Sequence, residues 1–269
     1  FNLINDQNRL NPPTLNFQST KNIRARTWRF SSEENLVNNQ TLKELSFLLT
    51  KPPAKQIQRL FLMFSGCHEI TNQGINHLSH HLRKLIHLQY LTLNLSGCRK
   101  IDNAGWHNLS QGLKYLASLQ NLIINVSGCR KFDDLGLQNI SKSLKNLGSV
   151  NRITVNFSAC KEITNQGLYH LSQGLKSLKS LQSINLCFSG CRRITDTGFD
   201  IISHALKGPT SLKDITFSFQ GCCLITNIGI GYFAHGLPIF SQNINLDFSG
   251  CREIDDLGFL SITEALKPL

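Results

Sequence analysis

The sequence predicts an α/β solenoid, a curved parallel sheet on the concave side with helices on the convex side. Three observations carry this. The phrase "LTLNLSGCRKID" (residues 91–102) returns in near-copies. Its cysteine falls at Cys67, Cys98, Cys129, Cys160, Cys191, Cys222 and Cys251, at intervals of 31 residues with a last interval of 29. Before each cysteine, apolar residues take alternate positions, as in Leu91, Leu93 and Leu95, the period of a strand with one buried face. After it they recur at helical spacing, as in Leu168, Leu171 and Leu175. One strand and one helix cannot bury both apolar faces alone, so the units must stack.

Taken in chain order, residues 1–26 are polar and Asn-rich, with Pro12-Pro13, and read as an N-terminal extension or cap. Residues 27–55 read as a degenerate first repeat. Trp28 and Phe30 lie in its strand, Leu42, Leu45 and Leu49 on its helix, and "KPPAK" (51–55) is its return loop. Residues 56–269 hold seven repeats of about 31 residues, the last one truncated at "EALKPL". Terminal repeats need capping, so further sequence or a partner is expected beyond Leu269. The opening "FNLINDQNRL" has neither an initiator Met nor a signal-peptide pattern and reads as part of a longer chain.

Within each repeat a Thr or Asp stands four residues after the cysteine (Thr71, Asp102, Asp133, Thr164, Thr195, Thr226, Asp255), followed by Asn or Asp. Both side chains are expected to accept from the free N–H groups of the helix start. A cation closes six helices (Arg83, Lys114, Lys145, Lys176, Lys207, Lys267), where the helix dipole favours positive charge.

The pattern "LxxLxLNFSGCxxITxxGLxxLSxxLKxL" resembles a leucine-rich repeat over about residues 56–269. It is similar to the cysteine-containing repeats of F-box-type proteins and to ribonuclease-inhibitor-like repeats. In the cysteine-containing class "SGC" follows "LxL" directly, whereas here two residues such as Asn94-Leu95 intervene, which preserves strand alternation. The resemblance implies a protein-binding scaffold. It also implies, as an alternative, the substrate-recognition region of a ubiquitin ligase, although no F-box-like segment stands in the first fifty residues. Ligand-sensing regions of immune-type receptors are similar in repeat type.

Bulk composition narrows the classes. No apolar run approaches the ~18 residues of a membrane span. Lys plus Arg is 28 against 17 for Asp plus Glu, a formal charge of +11, which favours acidic partners. Nine cysteines without the short spacings of a secreted mini-protein fit a reducing compartment, hence a cytoplasmic location. The repeated cysteine would point its thiol the same way in every unit, poor geometry for a disulfide or a tetrahedral metal site. It reads as a small buried plug donating weakly to loop carbonyls. Cys187 and Cys223 lie outside that column, and Cys187 is expected on the exposed strand face as the most accessible thiol. His77, His80, His81 and His87 fall on the solvent side or in the return loop, so no metal, cofactor or catalytic constellation is expected.

Two surfaces remain. On the outward strand face, the Asn column (Asn94, Asn125, Asn156) reads as a side-chain ladder between strands. Eight residues before the cysteine, however, stand Arg59, Tyr90, Asn121, Arg152, Ser183, Asp214 and Asn243, a row whose size and charge change from unit to unit. Such variation suits a surface fitted to one partner, and Tyr and Arg are common interface anchors. Directly after the cysteine runs a basic ridge, Arg99, Lys100, Arg130, Lys131, Lys161, Arg192, Arg193 and Arg252. It reads either as a solvated loop edge partly neutralised by Glu69, Glu162 and Glu253, or as a contact for an acidic protein. Nucleic acid is a weaker version of the second reading, since interleaved stacking aromatics are missing.

Overall fold

The computed structural model describes residues 16–17, 27–31, 37–50, 56–238 and 241–266. Strands β2 (Thr27–Ser31), β3 (Arg59–Met63), β4 (Tyr90–Asn94), β5 (Asn121–Asn125), β6 (Arg152–Asn156), β7 (Ser183–Cys187), β8 (Asp214–Ser218) and β9 (Asn243–Asp247) pair in parallel, in chain order and in one register. Strand β1 (Asn16–Phe17) lies antiparallel beside β2. Helices α1 (Asn39–Leu48), α2 (Asn72–Leu82), α3 (Asn103–Leu113), α4 (Asp134–Leu144), α5 (Asn165–Leu175), α6 (Asp196–Leu206), α7 (Asn227–Gly236) and α8 (Asp256–Leu266) each follow one parallel strand. The expected return loop at 51–55 and the expected C-terminal cation Lys267 lie outside the described residues.

One face of the sheet is sealed. Leu91, Leu93 and Leu95, and their counterparts in the neighbouring units, are essentially inaccessible to water, as are Leu168 and Leu171 on the helices behind them. Burying one such side chain contributes about 1.5–3 kcal/mol. From unit to unit the phenylalanines stack, Phe157 on Phe188 at 4.9 Å and Phe188 on Phe219 at 5.3 Å between ring centroids. In β9 the same columns, Ile244 and Leu246, are only half-buried.

The turn out of each strand from β3 to β9 takes a left-handed residue, and glycine supplies it without steric cost, as at Gly97 (φ 71°). In the sixth parallel-strand unit's predecessor, Ala159 takes that conformation instead (φ 59°). Beyond the turn the repeated thiol reaches into the preceding unit. Cys98 donates to the Phe64 carbonyl at 3.2 Å, Cys129 to Leu95 at 3.1 Å and Cys160 to Val126 at 3.3 Å. Burial pushes the Cys129 and Cys160 thiols up to about 12, so they stay protonated donors.

The helix starts differ in part from expectation. Thr71, Asp102, Asp133, Thr164 and Thr226 each accept from the backbone of their own first turn. Thr195 makes no such bond to its own helix, although its hydroxyl accepts from Asn165 of the preceding unit at 2.8 Å just as that of Thr71 accepts from Asn39. From Asn39 to Asn227, the Asn or Asp that follows the cap reaches the next unit. Asn72 Nδ2 donates to Asp102 at 2.7 Å while its Oδ1 accepts the Asp102 N–H at 3.1 Å. Asp134 accepts both the N–H and the hydroxyl of Thr164, at 2.8 and 2.6 Å. The pairs Asn39–Thr71, Asn72–Asp102, Asn103–Asp133, Asp134–Thr164, Asn165–Thr195, Asp196–Thr226 and Asn227–Asp255 never set two carboxylates together. The contact is tight: a Cβ on Gly105 would stand 2.5 Å from Asn72 Oδ1.

Candidate protein-binding surface

The parallel register sets the variable row on one line. Arg59, Tyr90, Asn121, Arg152, Ser183, Asp214 and Asn243 are the first residues of their strands and successive Cα partners. Their side chains share the open face with every second residue that follows, since strand side chains alternate. Arg59, Arg152 and Asn243 are exposed and the other four half-buried. Asn243 Nδ2 donates to Asp214 at 2.7 Å.

At the β2–β4 end the open face carries a feature that column reading from β3 onward missed. The Arg29 guanidinium lies over the Phe61 ring at 4.8 Å, and Arg59 lies over Tyr90 at 4.8 Å. The two rings stand 5.2 Å apart, giving a four-member stack, Arg29–Phe61–Tyr90–Arg59. The stack depends on β2, whose Arg29 is the register partner of Phe61. Beside it Thr92 is covered, with its hydroxyl unpaired.

The Asn column is not a ladder between strands. Each side chain turns back on its own exit loop: Asn94 accepts the Ser96 N–H at 3.0 Å, Asn125 that of Ser127 at 3.0 Å and Asn156 that of Ser158 at 2.8 Å. Short polar side chains close such local turns readily. In β7 the column holds Cys187, whose sulfur sits 3.0 Å from the Ser158 hydroxyl and 3.1 Å from that of Ser189. Burial pushes this thiol up, but the contacts with Ser158 and Ser189 outweigh it and bring it below the ordinary value. Cys187 and Cys223 are both half-buried, while the seven repeated cysteines are buried.

The basic ridge lies on the loops leaving the opposite ends of the strands, so it and the variable row are separated by the length of a strand. All eight ridge cations are exposed. Two of them are engaged: Lys100 pairs with Glu69 at 2.8 Å and Arg193 with Glu162 at 2.6 Å, each a glutamate of the preceding unit. Such exposed pairs contribute about 0–1 kcal/mol. Arg99, Arg130, Lys131, Lys161, Arg192 and Arg252 form no ion pair among the described residues. Among those residues, too, no group of His, Cys, Asp and Glu is arranged to hold a metal ion, and no helix is long and apolar enough to cross a membrane.

A parallel sheet built in chain order, backed by one helix per strand and plugged by a repeated cysteine, defines a leucine-rich-repeat solenoid. No protein-family model and no curated protein matches the chain. Among solved structures it is similar to internalin C2 of Listeria monocytogenes, at 14% identity and a TM-score of 0.40, over 82% of this chain and 80% of that one. It is also similar to a chain in the Rad7–Elc1 complex of yeast, at 16% identity and a TM-score of 0.33, over 85% of this chain and 68% of that one.

Proposed function

We propose that the chain is a non-catalytic scaffold or adaptor that binds another protein, as a subunit of a larger assembly. The observation that supports this is a contrast between neighbouring positions. The second residue of each strand from β3 to β9 is Leu or Ile in every unit, whereas the first runs through Arg, Tyr, Asn, Arg, Ser, Asp and Asn on the same scaffold. Packing explains the uniform column. A ligand fitted at successive positions along the solenoid explains the variable one.

The ridge is the second contact of this reading, through the six cations without a glutamate partner. Charge reversal of Arg99, Arg130 and Arg192 to Glu tests it by affinity capture from cell extract. The expected result is selective loss of acidic partners from the triple variant at unchanged thermal stability. An unchanged set of captured proteins removes the ridge from the interface. Retention on heparin that collapses between ~50 and ~200 mM salt would instead mark a general polyanion binder.

A further inference from the structure

The charges of the open sheet face are sorted by sign. Among the described residues of β2–β9, its cations are Arg29 in β2, Arg59 in β3 and Arg152 in β6, and its anions are Asp214 in β8 and Asp247 in β9. All the cations precede both anions along the sheet. Apolar side chains follow the same division, with Phe61, Met63, Tyr90 and Ile123 on β3–β5 and none of comparable size on β8 and β9.

The stack at the cationic end has a defined chemistry. Each guanidinium sits over a ring, its carbon 4.8 Å from the centroid, and its fork of N–H donors suits an in-plane, two-point partner, the geometry of a carboxylate. The rings already stack against a guanidinium and against each other, so they support cations rather than offer faces to bases. Neither Arg29 nor Arg59 has a carboxylate partner among the described residues. At the other end Asp214 is tied to Asn243, and Asp247 accepts from Ser218 at 3.2 Å and from the Ser249 N–H at 2.9 Å. These neutral partners fix the carboxylates without cancelling their charge.

From these arrangements we infer that the open face binds an extended peptide segment of opposite polarity. Its acidic residues seat on Arg29 and Arg59, and a basic residue reaches Asp214 and Asp247. The inference rests on the protein-binding reading above and adds the chemistry of the partner. A polyanion such as nucleic acid is disfavoured, because its charge continues over the carboxylate end. The spacing follows from the sheet. From β3 to β8 there are five strand steps, about 24 Å at ~4.8 Å each, or about seven residues of extended chain at ~3.3 Å per residue.

The probe is a fluorescein-labelled peptide with two glutamates at one end, two lysines at the other and a Gly/Ser spacer of about five residues, made in both chain directions. Fluorescence anisotropy with the intact chain reads its affinity. One direction is expected to bind, and R29Q/R59Q to weaken it about tenfold. Exchanging the peptide lysines for glutamates is expected to weaken binding to the wild type and not to D214N/D247N. All these side chains lie on the open face, so R29Q/R59Q should keep the wild-type melting temperature and D214N/D247N should lose only the small contribution of the Asp247 carboxylate, and both are measured alongside. The inference is overturned if neither direction binds, if an alternating-charge peptide of the same composition binds equally, or if an oligothymidylate displaces the probe. It is also overturned if only R99E/R130E/R192E loses the peptide, an outcome that leaves the protein-binding reading standing.

Discussion

The two faces of one sheet obey different rules. On the sealed face Leu91, Leu93 and Leu95 are answered in every neighbouring unit by an apolar residue of similar size, because each must fill space between a strand and a helix at crystal-like density. On the open face the first strand position carries Arg59, Tyr90, Asn121 and Arg152 in succession, on backbone that is otherwise repeated. Repetition on one side records packing, and its breakdown on the other marks where the scaffold is released from packing. The contrast implies that stability and recognition are separable by substitution, unit by unit.

The largest expected effect lies on the sealed face. Leu93→Ala empties a fully buried position and should cost about 2–5 kcal/mol in urea unfolding. Next comes the seam between units. Asn72→Asp sets a carboxylate against Asp102, 2.7 Å from the present amide nitrogen, and should cost about 1–3 kcal/mol. Asp134→Asn is the matching control. Its partner is Thr164, and Asn–Thr pairs already serve at Asn39–Thr71 and Asn165–Thr195, so a change within about 0.5 kcal/mol is expected. If both substitutions cost the same, the charge rule of the seam is wrong.

Smaller again, and opposite in sign, is the exit turn. Ala159→Gly relieves a left-handed alanine where the other strands from β3 to β9 use glycine, and should stabilise by about 1 kcal/mol. At the foot of the scale, Asp247 is held below the ordinary carboxylate value by the Ser249 hydroxyl and then the Ser249 N–H. A carboxyl lowered on folding contributes stability that is present above its ordinary value of 3.8 and lost as pH falls through the lower folded value. The stability difference between wild type and Asp247→Asn should therefore shrink below about pH 4, as unfolding curves across that range would show. Thiol chemistry offers an independent view: native-state alkylation followed by mass spectrometry should label Cys187 and Cys223 and spare the seven buried cysteines.

Much of this was legible in the sequence, and the limits are physical. A period of 31 residues names which positions are neighbours, so the buried columns, the register and the plug role of the cysteines could be read from spacing. Spacing does not say which atom of a side chain turns toward which neighbour. Asn94 and Asn72 are both polar positions near a strand or helix end, yet one folds back on its own loop and the other crosses to the next unit. Either arrangement gives the amide oxygen a backbone N–H donor, and only the three-dimensional path of the backbone decides. The Arg29–Phe61–Tyr90–Arg59 stack was hidden for another reason: its first member lies in a strand that lacks the repeated cysteine. Without that marker Arg29 could not be aligned to the column of Phe61. The ridge cations were visible, but the pairing of Lys100 with Glu69 needed the adjacent loops in place.

The separation of the two faces is tested most directly by changing the variable row as a block. A chain carrying Arg59→Gln, Tyr90→Asn and Arg152→Gln should keep its urea midpoint, since the replaced groups lie on the open face, and should lose the glutamate–lysine peptide and the captured protein partners together. A chain that keeps both ligands, or one whose midpoint falls as far as that of Leu93→Ala, would contradict the assignment of recognition to this face.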